Sequence, residues 1–148
     1  MTEPALVIGF GNELRRDDGA GPQVCRELEA RRPSGVQVRI VHQLTPELAE
    51  PLAGARLAVF VDAAAGQRAV RCRPVTESAG AAALGHTGDP AWLLGLAEAA
   101  FGRRPPAWLV TVPAEDFGFG SGLTPAAERY LPDALAEVER LLGSPDGG

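Results

Sequence analysis

Four short apolar runs punctuate the chain, Ala5–Ile8, Val36–Val41, Leu57–Val61 and Trp108–Val112, each of a length suited to a buried strand. Between them the spacing becomes helical. Val24, Cys25 and Leu28 mark one face of a helix opened by Pro22, and Leu93, Leu96, Ala97 and Ala100 mark another over Pro90–Phe101, with Asp89 and Pro90 as its N-cap and first residue. Thr45 and Pro46 form a similar pair before a helix whose first turn includes Glu47. Leu131, Leu135, Val138 and Leu142 recur on one face of a last amphipathic helix after Thr124-Pro125, which Pro132 is expected to kink or split. In Ala69–Val75, Val70 and Cys72 alternate with outward Arg71 and Arg73, while Pro74, which has no N–H to give, confines the strand to an edge and leaves it free to run antiparallel. Strands alternating with helices predict an α/β fold: a three-layer sandwich, a mostly parallel central sheet of about five strands, and helices on both faces.

Length and charge narrow the function. At 148 residues the chain suits one domain, read here as 1–143, with 144–148 a polar Gly/Pro tail expected to fray. Hydrophobic residues at 45% and charged residues at 22% exclude a disordered chain or a coiled coil. The net charge is −5 and every basic residue is Arg, so no basic field is offered to nucleic acid. No apolar run approaches the roughly 18 residues of a membrane span. Met1–Pro4 leads into a strand without a charged leader and apolar stretch, so the cytoplasm is the expected location, and a monomer the expected state. Cys25 and Cys72 lie outside CxxC or metal-type spacing and read as small hydrophobes.

Three regions carry candidate chemistry. The first strand runs into GFGNELRRDDGAGP, residues 9–22. A dinucleotide loop fits poorly, because Leu14 stands where the third glycine belongs and Asp17 and Asp18 would repel a pyrophosphate. A glycine turn whose aspartates merely cap the next helix is the plain structural reading. Asp62 is expected to end the third strand, Leu57–Asp62, a charged group terminating the apolar run at the carboxyl edge of the sheet. In a doubly wound sheet the first and third strands are neighbours, so their loops meet at the switch crevice and bring Asp62 near Asp17 and Asp18. Two carboxylates there resist joint ionisation; a divalent cation relieves them, and a neutral imidazole would complete the ligands. Of the two histidines, His86 is favoured over His42, since it precedes the Asp89-Pro90 helix start, where the positive helix end disfavours imidazolium.

GFGNELRRDDGAGP followed by Asp62 and His86 resembles the hydrogenase maturation endopeptidases, and HQLTPELAEPL (42–52), VFVDA (59–63), GHTGDP (85–90) and GFGSGLTP (118–125) extend the likeness in order and spacing. The resemblance implies an α/β endopeptidase that removes the C-terminal extension of a nickel–iron hydrogenase large-subunit precursor after nickel insertion. It places the metal contacts, and with them the catalytic site, on Asp18, Asp62 and His86, with Asp17 as a neighbour that tunes charge or caps the loop. Some relatives carry Glu where this chain has the shorter Asp18. The metal is then nickel carried by the substrate, or another divalent cation in the isolated protein, and the role of the ion stays open between recognition signal and catalyst.

Other protease signatures are absent: there is no HExxH, and Gly120-Ser121-Gly122 lacks the spacing of a nucleophile elbow. Glu115 and Asp116 are secondary acid/base candidates set against a plain reading as solvated loop carboxylates. Phe117–Gly120 is either a flap over a peptide or a flexible connection with two apolar anchors, and Trp92 and Trp108 read as packing residues. The alternative from a different class is a non-catalytic α/β module binding a nucleotide or a partner peptide through its Gly-rich loop.

Overall fold

The computed structural model describes residues 3–76 and 88–143. Five strands, β1 (Ala5–Phe10), β2 (Val36–Val41), β3 (Leu57–Ala65), β4 (Arg71–Pro74) and β5 (Ala107–Ala114), form one sheet in the order β2-β1-β3-β5-β4. All neighbours run parallel except β4, which lies antiparallel on β5. The edge position suits Pro74, and the exposed Arg71 and Arg73 stand to either side of the half-buried Cys72. The expected α/β sandwich is the observed one.

Helices α1 (Ala20–Ala30) and α4 (Pro125–Leu142) cover one face; α2 (Ala49–Ala53, preceded by a 3₁₀ turn at Pro46–Leu48) and α3 (Pro90–Phe101) cover the other. Alternation along the strands sorts the two cores. Ala5, Val7, Leu57, Val59 and Val61 pack with Val24, Leu28, Leu135 and Val138 of α1 and α4. Leu6, Ile8, Ala58 and Phe60 pack with Leu48, Leu52, Leu93 and Leu94 on the opposite side. Because both faces are covered, β1 reads as continuous hydrophobic sequence, as central parallel strands do.

Three expectations need correction. Helix α1 opens at Ala20, two residues before Pro22, which sits within the first turn, where an N–H would have no intrahelical partner. Pro132 does not split α4, which runs unbroken from Pro125 to Leu142. Pro132 lies on the exposed side, and Leu131, Ala134, Leu135 and Val138 bury the opposite face of the helix against the sheet. Finally, β3 does not stop at Asp62. It continues to Ala65, paired with β5 as far as Ala65↔Ala114, whereas its pairing with β1 ends at Gly9↔Val61. Asp62 is therefore the first residue of β3 beyond the β1 ladder. The charge ends the apolar run in sequence but not the hydrogen-bonded strand.

Candidate functional site

Where β1 ends, the chain turns through Gly11 and a 3₁₀ turn at Arg16–Gly19 before α1 begins over the carboxyl ends of β1 and β3. Gly21 in the first turn of α1 sits so close to the sheet that a Cβ there would collide with the Val61 carbonyl. Gly11 has φ +149°, and a side chain on it would run into the Asp18 carbonyl oxygen. These approaches press the 12–18 loop onto the switch crevice between β1 and β3.

Asp18 is half-buried, and its Oδ2 accepts a hydrogen bond of 2.6 Å from the backbone N–H of Asn12. Asp62 is also half-buried, and its Oδ1 accepts from the N–H of Ala63 at 2.8 Å. The carboxyl of Asp62 is pushed up to about 7, mainly by burial; the Ala63 hydrogen bond opposes this, and the negative charge of Asp18 adds to it. Two of the three expected contacts thus share one electrostatic environment. His86 lies outside the described residues, and no cluster of three potential metal ligands occurs among the described ones. A dication suits this donor set, since its charge would offset both the repulsion and the desolvation that Asp62 bears. His42 is exposed and lines a hollow of about 390 Å³ with Gly11, Asn12 and Ile40, beside the same loop.

Asp17 has a different environment. It is 0% exposed, the one buried charged residue among those described. Its Oδ2 accepts from the N–H of Glu115 (2.9 Å), the N–H of Asp116 (3.1 Å) and the hydroxyl of Thr124 (2.9 Å), and its Oδ1 accepts from the N–H of Thr124 (2.8 Å). Burial pushes this carboxyl up, but the four hydrogen bonds outweigh it and leave it below the ordinary Asp value. The Thr124 hydroxyl also accepts from the N–H of Ala127, capping α4. Loop capping by Asp17 is therefore observed, but the loop it caps lies about a hundred residues downstream.

That downstream loop, 115–124, is zipped to 12–18 by the main chain. Arg16 N–H donates to the Gly120 carbonyl (3.0 Å), Gly120 N–H to the Leu14 carbonyl (2.8 Å) and Asp17 N–H to the Asp116 carbonyl (2.9 Å). The Arg15 Nε–H adds a hydrogen bond to the Phe117 carbonyl at 3.0 Å. A free flap is not what these bonds describe: the 117–120 stretch is pinned at both sides, and Phe119, 86% exposed, projects from it. Asp116 accepts from the N–H of Gly118 at 2.8 Å and pairs loosely with Arg16 at 3.7 Å, a local turn that accounts for its place. Between this zipper, α1 and the start of α4 lies a hollow of about 480 Å³ lined by Leu14, Arg16, Gln23, Arg26, Leu123 and Glu128, among others.

No family model matches the chain, and no curated protein matches it significantly. Solved structures do. The chain is similar to the hydrogenase-maturating endopeptidase HybD from E. coli, with a TM-score of 0.73 and 24% identity over 91% of this chain and 89% of that one. The fold is that of the hydrogenase maturation endopeptidases. The [NiFe] hydrogenase maturation protease HybD from Thermococcus kodakarensis superimposes with a TM-score of 0.69 at 21% identity, covering 94% of this chain and 99% of that one. The HycI maturation protease of the same organism gives 0.71 at 18% identity, covering 96% and 94%. Open parallel sheets bind ligands beyond the strand ends where the strand order reverses, which in this sheet is between β1 and β3. The fold gives a nucleotide cradle little support, since the acidic pair Asp17 and Asp18 fills the turn ahead of α1. No helix among the described residues is long and apolar enough to cross a membrane.

Proposed function

We propose that the protein is an endopeptidase that removes the C-terminal extension from the large-subunit precursor of a nickel–iron hydrogenase once nickel has been inserted. The observation that carries this reading is that Asp62, half-buried beyond the end of the β1 ladder, feels the charge of Asp18 in a fold shared with hydrogenase maturation endopeptidases. Nickel is part of the substrate here, and Asp18, Asp62 and His86 contribute to its coordination shell. A precursor without nickel leaves two carboxylates opposed and uncompensated, and binds weakly for that reason. The ion thus serves as evidence that insertion is complete.

The chain's own residues set the electrostatics of recognition. Asp62 titrates at about 7, so near neutrality a cation must displace a proton from roughly half of the molecules. Engagement of the loaded precursor should therefore tighten as pH rises through that value. The test mixes purified protein with nickel-loaded and nickel-free precursors and weighs the products. Shortening of the loaded precursor alone is the expected result. Equal cleavage of both would reject the nickel checkpoint, and cleavage of neither would reject the peptidase. Asp18→Asn, Asp62→Asn and His86→Ala should each abolish processing with an unchanged circular dichroism spectrum.

A further inference from the structure

We infer that Asp17 is a positioning residue: by clamping the 12–18 loop to the 115–124 loop it holds its neighbour Asp18 in place. The inference rests on the peptidase reading for its consequence in catalysis, though not for its geometry. An ionised carboxylate has about four acceptor sites, and Asp17 fills four, with donors on both oxygens. Three of the donors are on Oδ2 and one is on Oδ1, and the side chain is wholly enclosed, so a metal or substrate does not reach it. Adjacent residues in a 3₁₀ turn diverge: Asp17 is enclosed in the protein, while Asp18 is half-buried, takes the Asn12 N–H and lies close enough to Asp62 for its charge to be felt there. Fixing one side chain thus sets the direction of the other.

The clamp works beside the main-chain zipper and closes both ends of the 115–124 loop, at Glu115 and Asp116 and at Thr124. Residues 118–122 include three glycines and Ser121, and their backbone is held to the Asp17 loop by the Leu14, Arg16 and Gly120 hydrogen bonds. A neutral isostere cannot replace the carboxylate. Asn offers a single acceptor oxygen, so whichever way it is turned its NH₂ group faces an N–H or O–H that needs an acceptor. The Asp17→Asn protein keeps the size of the side chain and loses the two-sided grip.

The test compares Asp17→Asn with Val138→Ala, a core truncation on α4 that destabilises the fold without touching either loop. Native-state amide exchange is followed at Asn12, whose N–H reports the placement of the Asp18 carboxylate, and at Thr124, whose N–H reports the clamp. In Asp17→Asn both amides should exchange at least about tenfold faster relative to the strand β1 amides, and kcat/KM on nickel-loaded precursor, per folded molecule, should fall about 10- to 100-fold, the range typical of groups that orient a metal ligand. Val138→Ala should leave both quantities near wild type. Unchanged Asn12 protection in Asp17→Asn, or a fall in activity no greater than that of Val138→Ala, would overturn the inference. If Asp17→Asn does not fold, the wild-type protein decides, because fast exchange of the Glu115, Asp116 and Thr124 amides would show that no clamp exists. A wild-type protein that processes no precursor refutes the peptidase while the exchange measurements still judge the clamp.

Discussion

Asp17 and Asp62 lie at the same edge of the sheet and differ in what the backbone gives them. Four donors meet the Asp17 carboxylate, which is wholly enclosed; one N–H meets Asp62, which is half-buried and shares its crevice with a second acid. Enclosure is therefore not what separates an acid held below its ordinary value from one pushed above it. The number of donors is: a satisfied carboxylate stays ionised and holds the chain, whereas an under-satisfied one keeps an electrostatic debt that a cation can cancel. The opposite pKa directions follow from this. Asp17 contributes stability that is present above the unfolded value and is lost as pH falls through its lowered one. For Asp62 the raised value means stability present below 3.8 and lost as pH rises through about 7.

The comparison breaks most visibly at Asp17. Asp17→Ala leaves three backbone N–H groups and a hydroxyl without their acceptor in a buried place, and should cost about 3–5 kcal/mol in urea unfolding at pH 7. A loss under about 1 kcal/mol would mean that water reaches those donors and that the contrast with Asp62 is false. Next in size is Gly11→Ala. The new methyl meets the Asp18 carbonyl at a φ of +149° that alanine disfavours, and a loss of about 2–4 kcal/mol with displacement of the Asp18 loop is expected. Chemical shifts of Asn12 and Asp18 would report the displacement directly.

Much of this arrangement can be read from the chain, and the part that cannot has a definite cause. The apolar runs locate β1, β2, β3 and β5, and Pro74 locates the edge strand, because strand burial and the missing N–H act on the residues where they occur. Asp62 is legible for the same reason, as a charge directly following the apolar run Leu57–Val61. The extension of β3 to Ala65 is not, since it depends on pairing with β5, whose residues lie about fifty positions on. Asp17 and Asp18 look alike in sequence. Which of them is buried depends on Arg16, a non-glycine residue at φ 45°, and on donors at 115, 116 and 124 brought in by tertiary folding. The preference of Ser/Thr for helix N-caps marks Thr124-Pro125 as a helix start, and that is the only local sign that Thr124 has more than one hydrogen bond to make. His86, the third expected contact, falls outside the described residues, so it rests on its place before the Asp89-Pro90 helix start and on the likeness of GHTGDP to the family.

A smaller effect separates the crevice from simple burial. Replacing Asp62 with Asn removes the charge and keeps an oxygen for the Ala63 N–H. At pH 8, where wild-type Asp62 is mostly ionised, the variant should be more stable by about 1–3 kcal/mol, a figure reduced for the partial solvent access of the site. Near pH 4 the two proteins should coincide, because the wild-type carboxyl is then already neutral in the folded state. Parallel stability curves from pH 4 to 8 would show that Asp62 is not raised, and would remove the physical basis for cation recognition.

The smallest effect belongs to Asp116, an acid of the 115–124 loop that is neither enclosed nor starved of partners. Its side chain is 47% exposed, takes the Gly118 N–H and sits 3.7 Å from the Arg16 Nε. Solvent screens the ion pair, and an Asn oxygen can close the same turn, so Asp116→Asn should change stability by less than about 1 kcal/mol. Processing of the nickel-loaded precursor should stay within about threefold of wild type, as expected for a surface substitution outside the crevice. The result discriminates between two views of the loop. A loss of processing comparable to that in Asp62→Asn, with stability intact, would move Asp116 from the scaffold into the chemistry. The division between holding and reacting acids would then have to be drawn by position along the crevice and not by the supply of donors.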